Sequence, residues 1–409
     1  MIRKIRIQNY RSCLDTSFEL HPNLSILIGP NSSGKTNILN AMLLLRKLAE
    51  EYQYHRLDEE QTRQSELNVW FDIGDNKMTL YAVVDIFTDE NNRDVVSSSS
   101  QQWYAKDFTG NSKRLRLPLW LARELSRLPE ADERFIRLSR LRRYPLDIER
   151  SLRLIPASVR MPLAQTAEAL SEMSYYGASQ FTNPANCPVS FEIEKEGKSS
   201  RGIGLRGHTK LLADLYSSYK SQDNPSYAQF FEIIGPKGLG LVDNIDFDEI
   251  LTSSIEYSVR SGGGVIQRKR EKSLVIPRFR IGKNDLSPNQ LSEGTFKTIT
   301  LLFYLITEKS KVLLLEEPEV CVHHGLLSSI IELIKTYSRE KQIVVTTHSD
   351  FVLDEVQPEN VYKVTNVAEE GTKVSHITKS MSRRELAALH EYLETQGNLG
   401  EYWRHGGIE

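Results

Sequence analysis

Residues 29–36 read Gly29-Pro30-Asn31-Ser32-Ser33-Gly34-Lys35-Thr36, and the chemistry open to that arrangement is the holding of a polyphosphate. Glycine at both ends lets backbone N–H groups converge on phosphate oxygens, Lys35 neutralises them, and the Thr36 hydroxyl ligates Mg²⁺. A second set of chemical groups lies far along the chain. There Val312, Leu313, Leu314 and Leu315 precede Glu316, Glu317, Pro318 and Glu319. Glu316 is placed to support a Mg²⁺ shell and Glu317 to polarise an attacking water. A third group is His348, which ends the apolar run Ile343, Val344, Val345 and whose imidazole can sense a γ-phosphate. The fourth is Leu291-Ser292-Glu293-Gly294-Thr295, followed by Ile299, Leu302, Phe303 and Ile306 at helical spacing.

These groups need particular elements to position them. The loop at 29–36 requires a strand before it and a helix after it, so that the positive helix end faces the anion. Leu24, Ile26, Leu27 and Ile28 predict the strand, and residues 37–48, beginning with Asn37, have helical spacing. Four aliphatics bounded by charge suit a central strand of a parallel sheet, buried on both faces, and ligands gather at the carboxyl ends of such strands. Residues 342–347 predict a neighbouring strand. Ser292 and Gly294 fall at a helix start, whose free N–H groups bind anions. Since the first loop already serves the phosphates of its own subunit, this second one is expected to cap ATP held by another copy.

With these motifs in this order, the chain resembles the ABC-type ATPases of the RecF and SMC group. It is more closely similar to compact OLD-like ATPases and to the ATPase subunit of PARIS-like anti-phage systems. The resemblance implies an α/β fold: an ABC/SMC-like P-loop ATPase head with an antiparallel β lobe and a helical insertion. It implies ATP and Mg²⁺ as cofactors. It also implies Gly29 to Thr36 as the Walker A loop, Ser292 and Gly294 in the signature, Glu316 and Glu317 as the Walker B pair, and His348 as the switch histidine. The opening Tyr10-Arg11-Ser12 is similar to the aromatic, arginine and hydroxyl residues that precede the nucleotide site in this group, which adds Arg11 to the nucleotide contacts. Glu316 stands where many ABC proteins have Asp. Gln53, Gln61 and Gln64 are candidates for the glutamine loop. His323 and His324 fall in the place of the dimer-contact loop, and a metal there is disfavoured because no acid or Cys stands at ligand spacing.

At 409 residues the chain has ample length for a core. No apolar stretch nears the roughly 20 residues of a membrane span, and Met1-Ile2-Arg3-Lys4 leads into a strand, so a cytoplasmic protein without membrane contact is expected. Three scattered cysteines, Cys13, Cys187 and Cys321, suggest small core residues and neither a disulfide framework nor a metal site. The net charge is −2, yet residues 113–153 hold twelve Lys and Arg against six Asp and Glu. This Arg-rich arm reads either as a solvated helical face or as a surface for nucleic-acid phosphates or an acidic partner.

Between Thr36 and Leu291 alternation over 67–87 predicts antiparallel strands, and 91–101, with Ser97 to Ser100, reads as a loop. Residues 117–177 read as helical, with prolines too frequent for a long coiled coil. Asp246-Phe247-Asp248 reads as a helix-start cluster. The expected divisions are 1–116, an N-terminal ATPase lobe; 117–180, the helical Arg-rich insertion; and 181–409, the remaining ATPase lobe. Only 61 residues follow His348, too few for the TOPRIM nuclease domain of OLD proteins. The expected function is therefore an ATPase that dimerises head to tail around ATP and controls a separate nuclease or TOPRIM-like effector in anti-phage defence. The alternative is a RecF-like repair ATPase that binds DNA.

Overall fold

The computed structural model describes residues 1–49, 62–73, 76–89, 94–106, 112–124, 155, 157–177, 183–194, 207–221, 224–259, 265–320, 322–395 and 397–405. The Arg-rich stretch 125–154, Gln53, Gln61 and Cys321 lie outside the described residues. The chain forms two compact units.

The first unit comprises Met1–Tyr175, Lys309–Glu317 and Ile331–Glu409. Its antiparallel sheet has the order β2-β1-β4-β5-β6-β7, formed by β1 (Ile2–Tyr10), β2 (Cys13–Glu19), β4 (Arg63–Ile73), β5 (Asn76–Thr88), β6 (Asp94–Lys106) and β7 (Ser112–Arg116). A second sheet has the order β16-β15-β3-β14-β13-β8. It is built from β3 (Leu24–Ile28), β8 (Ser174–Gly177), β13 (Val312–Glu316), β14 (Gln342–Thr347), β15 (Val361–Val367) and β16 (Gly371–His376). Strands β13, β14, β3 and β15 run parallel, and β16 closes one edge antiparallel to β15. All six residues of β14 and all five of β3 are buried, as a strand covered on both faces requires.

Helix α1 (Lys35–Ala49) buries Ile38, Leu39, Met42 and Leu45, the three-to-four spacing of one apolar stripe. One core cluster joins these to Ile5, Ile7, Val69, Leu80 and Trp103 of the antiparallel sheet and to Leu314 and Val344 of the parallel one. Helices α2 (Leu119–Glu124) and α3 (Ala157–Ser171) add Leu121 and Leu163 to the core of this unit. Among the described residues no helix is long and apolar enough to cross a membrane.

The second unit, Tyr176–Glu308 with Pro318–Ile330, holds α4 (Gly207–Lys220), α5 (Pro225–Ile234) and α6 (Glu293–Thr307), and β9 (Phe191–Glu194), β10 (Asn244–Val259), β11 (Val265–Ile281) and β12 (Asn284–Leu286). Helix α5 starts on Asn224, whose side chain accepts from Ser226 N, with Pro225 in the first turn. Helix α7 (His324–Tyr337) begins in this unit, and α8 (Asp350–Asp354), α9 (Ile377–Ser380), α10 (Arg383–Thr395) and α11 (Leu399–Arg404) complete the first. Cys13 and Cys187 are buried free thiols.

Three local expectations are corrected. The serine tract 97–100 is part of β6: Ser99 pairs with Val84 and Ser100 with Val83, because strand pairing outweighs a weak local preference. Residues 174–177 are strand β8, not the end of a helix. Asp246 and Asp248 lie on β10 rather than at a helix start, and they face cations across the hairpin, Asp248 with Arg278 and Asp246 with Arg280 at 3.8 Å. Opposite charges on paired strands stabilise this arrangement.

Candidate nucleotide site

Strand β3 delivers the chain to Gly29, where a Cβ would lie 2.2 Å from the Val364 carbonyl oxygen, so no larger residue fits. Gly34 has φ +104°, and a Cβ there would sit 2.0 Å from Thr372 Oγ1. Pro30, Asn31 and Ser32 form the exposed tip of the loop. Ser32 has φ 65°, and Ser33 N donates to the Pro30 carbonyl at 3.2 Å. Alternation of ordinary and left-handed residues is the backbone form that turns N–H groups toward one anion. The Ser33 hydroxyl is buried without a hydrogen-bond partner. Lys35 is buried, and its Nζ curls back to donate to the carbonyls of Gly29 at 2.7 Å and Pro30 at 3.0 Å. A buried cation, an orphaned hydroxyl and the start of a 15-residue helix fit a polyphosphate.

Thr36 follows at the mouth of α1, and its Oγ1 donates to Glu316 Oε1. The other carboxylate oxygen, Oε2, accepts from the Tyr175 hydroxyl. Glu316 thus joins the ends of three elements, α1, β13 and β8. Thr36 and Glu316 are the residues that would hold Mg²⁺. Tyr175 escaped the sequence reading because 174–177 read as helix, although two adjacent tyrosines are a strand signal. Burial, then the Glu316 contact, raises the Tyr175 pKa, so the phenol stays a neutral donor. Replacing Tyr175 with Phe is expected to weaken divalent-metal affinity about tenfold, by analogy with the loss of other groups that orient metal ligands. A Mn²⁺ titration followed by electron paramagnetic resonance, beside metal-free ATP binding that stays unchanged, measures this; an unaltered Mn²⁺ affinity would remove Tyr175 from the site.

Glu316 is paired with Thr346 in the β13–β14 ladder, which brings the ends of both strands together. Glu317 has φ 46°, a left-handed conformation that costs energy for a side-chain-bearing residue, and its N–H donates to the Thr346 carbonyl at 2.8 Å. That turn aims the Glu317 carboxylate toward His348, whose Nδ1 lies 3.3 Å from Glu317 Oε1. Both side chains are partly exposed, 31% for Glu317 and 45% for His348, so water has access to them.

Arg11 stands in the β1–β2 turn with φ 50°. Its guanidinium meets Asp94 at 3.0 Å and Asn37 Oδ1 at 3.5 Å. Tyr10 also donates to Asp94. Asn37 Nδ2 donates to Ser12 Oγ at 2.6 Å, Ser12 Oγ is 2.8 Å from Thr372 Oγ1, and Thr372 Oγ1 donates to the Ser33 carbonyl at 3.2 Å. The Tyr10-Arg11-Ser12 motif is therefore wired to the phosphate loop through side-chain hydrogen bonds.

The first unit brings together Arg11, Gly29 to Asn37, Glu316, Glu317 and His348. Ser292 and Gly294 belong to the second unit. Ser292 caps α6, its hydroxyl accepting from Thr295 N at 3.1 Å, and Gly294 lies in the first turn. Gln64, one of the glutamine-loop candidates, is exposed on β4 and bonded to Asp85 at 3.3 Å.

Residues 1–143 match the family model described as "AAA ATPase domain", and residues 206–354 match the one described as "AAA domain, putative AbiEii toxin, Type IV TA system". A segment of 44 residues is 43% identical to the DNA replication and repair protein RecF of Lactococcus lactis subsp. cremoris, covering 11% of this chain and 12% of that protein. The RecF of Staphylococcus haemolyticus is 39% identical over 44 residues, again 11% of this chain and 12% of that protein. The chain thus matches about an eighth of the length of these curated relatives. Among solved structures, an SMC head bound to the C-terminal winged-helix domain of ScpA is 13% identical with a TM-score of 0.48, covering 93% of this chain and 99% of that one. The SMC head of Thermotoga maritima is 13% identical with a TM-score of 0.41, covering 92% and 98%.

The phosphate loop lies within the first of these ATPase-domain matches, and the acidic strand end and His348 within the second, on an α/β unit whose parallel sheet carries all three at strand ends. The likeness to these two RecF proteins spans 44 residues of the chain.

Proposed function

We propose that this chain is a Mg²⁺-dependent ATP hydrolase that closes head to tail with a second copy around two ATP molecules and in that state controls a separately encoded effector. The observation that carries the reading is the Glu317–His348 pair, set at the ends of adjacent strands beside the Thr36–Glu316 contact. Glu317 accepts a proton from water as it attacks, and His348 orients the Glu317 carboxylate and meets the γ-phosphate. Lys35 and the loop amides bind and orient the phosphate chain. Bound Mg²⁺ supplies charge neutralisation on the β- and γ-phosphates.

A defence role with a nuclease or TOPRIM-like effector is supported by the family description that names a toxin of a TA system. The RecF segment favours a second reading, a repair ATPase acting on DNA. Replication genes beside this one would select the repair reading, and an adjacent nuclease gene the defence reading. In either, Ser292 and Gly294 complete the ATP site of the partner copy, and the Arg-rich arm serves an acidic partner or nucleic acid.

The dimer supplies the test. Ser292→Arg removes the hydroxyl that caps α6 and puts a bulky side chain where the partner's phosphates would lie against the helix. It is expected to leave ATP binding by the single chain within about twofold while abolishing the ATP-dependent doubling of mass in light scattering. If the variant still doubles in mass with ATP, the head-to-tail arrangement is wrong.

A further inference from the structure

The antiparallel sheet of the first unit has one face in the core and one in solvent. On β1 the core side takes Ile5 and Ile7, while Lys4, Arg6 and Gln8 point outward. Lys4 is paired directly with Trp70 on β4, and its Nζ sits 5.3 Å from the centre of that indole. Around them lies a cavity of about 510 Å³ whose lining includes Lys4, Arg6, Asp15, Trp70 and Lys373. Three cations thus meet one carboxylate, and Arg6 already engages that carboxylate at 2.7 Å.

Further aromatics continue from Trp70 on the same face. Asn68 pairs with Tyr81 and Trp70 with Thr79, so Tyr81 is the diagonal neighbour of Trp70; Thr79 pairs in turn with Tyr104 on β6, the diagonal neighbour of Tyr81. Diagonal neighbours on a sheet are about 7–8 Å apart. Tyr81 is fixed by donating to Glu66 at 3.0 Å, and Tyr104 is 37% exposed. Trp70 and Tyr81 are partly buried and Tyr104 is exposed, so each presents part of an aromatic ring on the outer face of three consecutive strands, and with cations at one end they make a stacking platform.

We infer that this face binds a single-stranded nucleic acid, one base stacking on Trp70 with its neighbours on Tyr81 and Tyr104, and the backbone phosphates passing Lys4, Arg6 and Lys373. Stacking is tolerant of sequence because every base has a π-face, and the cations track the backbone. A duplex hides its base faces and cannot use the rings. The ATP loop plays no part in this contact, so the inference stands apart from the hydrolase reading.

The test uses the full chain, a labelled oligothymidylate of about 12 nucleotides, the same oligomer made abasic, and a duplex of equal length. Fluorescence anisotropy is expected to show the oligothymidylate bound about tenfold more tightly than the abasic strand or the duplex. Trp70→Ala should remove that preference, Trp70→Phe should keep most of it, and Lys4→Gln with Lys373→Gln should flatten the salt dependence by about 1.4 in log–log slope, two contacts at ~0.7 each. Equal affinity for thymidylate and abasic strands, or for the duplex, overturns the inference with the unaltered protein alone, whatever the folding of the variants. ATP binding is measured in parallel and should be unchanged throughout; losing it would indict the fold of a variant and not the platform.

Discussion

Glu317→Gln is expected to bind ATP normally, to hydrolyse it at least about 100-fold more slowly, and to accumulate as an ATP-bound dimer. The amide keeps the size of the side chain and one hydrogen-bond acceptor, so the left-handed turn at φ 46° and the 2.8 Å bond to Thr346 are undisturbed. What it loses is the ability to take a proton, a contribution worth about 10²–10⁴ in rate when one positioned base supplies it. The affected quantity is kcat, with the ATP dissociation constant held nearly constant. Single-turnover hydrolysis with light scattering reads both. A rate within about threefold of the unaltered chain would move the base to another group, and His348, 3.3 Å away, is the first to replace.

Much of this site is legible in the sequence because its parts are consecutive residues whose local chemistry dictates their shape. Gly29 and Gly34 flank a loop only glycine can close, and four aliphatics ahead of two acids read directly as a buried parallel strand with charge at its end. Parallel pairing places β13 beside β14, so Glu317 and His348 lie 3.3 Å apart at the ends of neighbouring strands. The contacts that were not legible join residues distant in the chain. Tyr175 reaches Glu316 across 141 positions, and Thr372 reaches Ser12 across 360; neither spacing leaves a local pattern. The serine tract of β6 fails for a related reason. Alone it has little preference for a strand, and its conformation comes from β5 beside it, where Ser98 bonds to Asp85.

Arg11 illustrates how such distant contacts bear on chemistry. It is held by Asp94 from β6 and by Asn37 from α1, so the antiparallel sheet and the helix that follows the phosphate loop both fix one guanidinium. Asp94 is only 10% exposed, and a carboxylate so placed would be costly without its cation and the Tyr10 hydroxyl. The antiparallel sheet is therefore a positioning element for the nucleotide site as well as the support of the core.

Lys35→Ala is the most severe change expected in nucleotide affinity. Lys35 is buried, 6% exposed, at the start of α1, and its ammonium is held over the loop by the carbonyls of Gly29 and Pro30. In the proposed function those two contacts keep the cation where phosphate oxygens would enter, and charge-assisted hydrogen bonds are about twice as strong as neutral ones. Removing one buried partner of an anion costs on the order of 2–5 kcal/mol, so ATP affinity should fall by about 30-fold or more. The fold should survive, because Ile38, Leu39, Met42 and Leu45 anchor α1 independently of Lys35, and alanine is the best helix former. Equilibrium titration with a fluorescent ATP analogue, with the far-ultraviolet circular dichroism unchanged, is the measurement. An affinity within about threefold of the unaltered chain would show that the loop does not hold the phosphates, and the assignments of Thr36 and Glu316 to Mg²⁺ would fall with it.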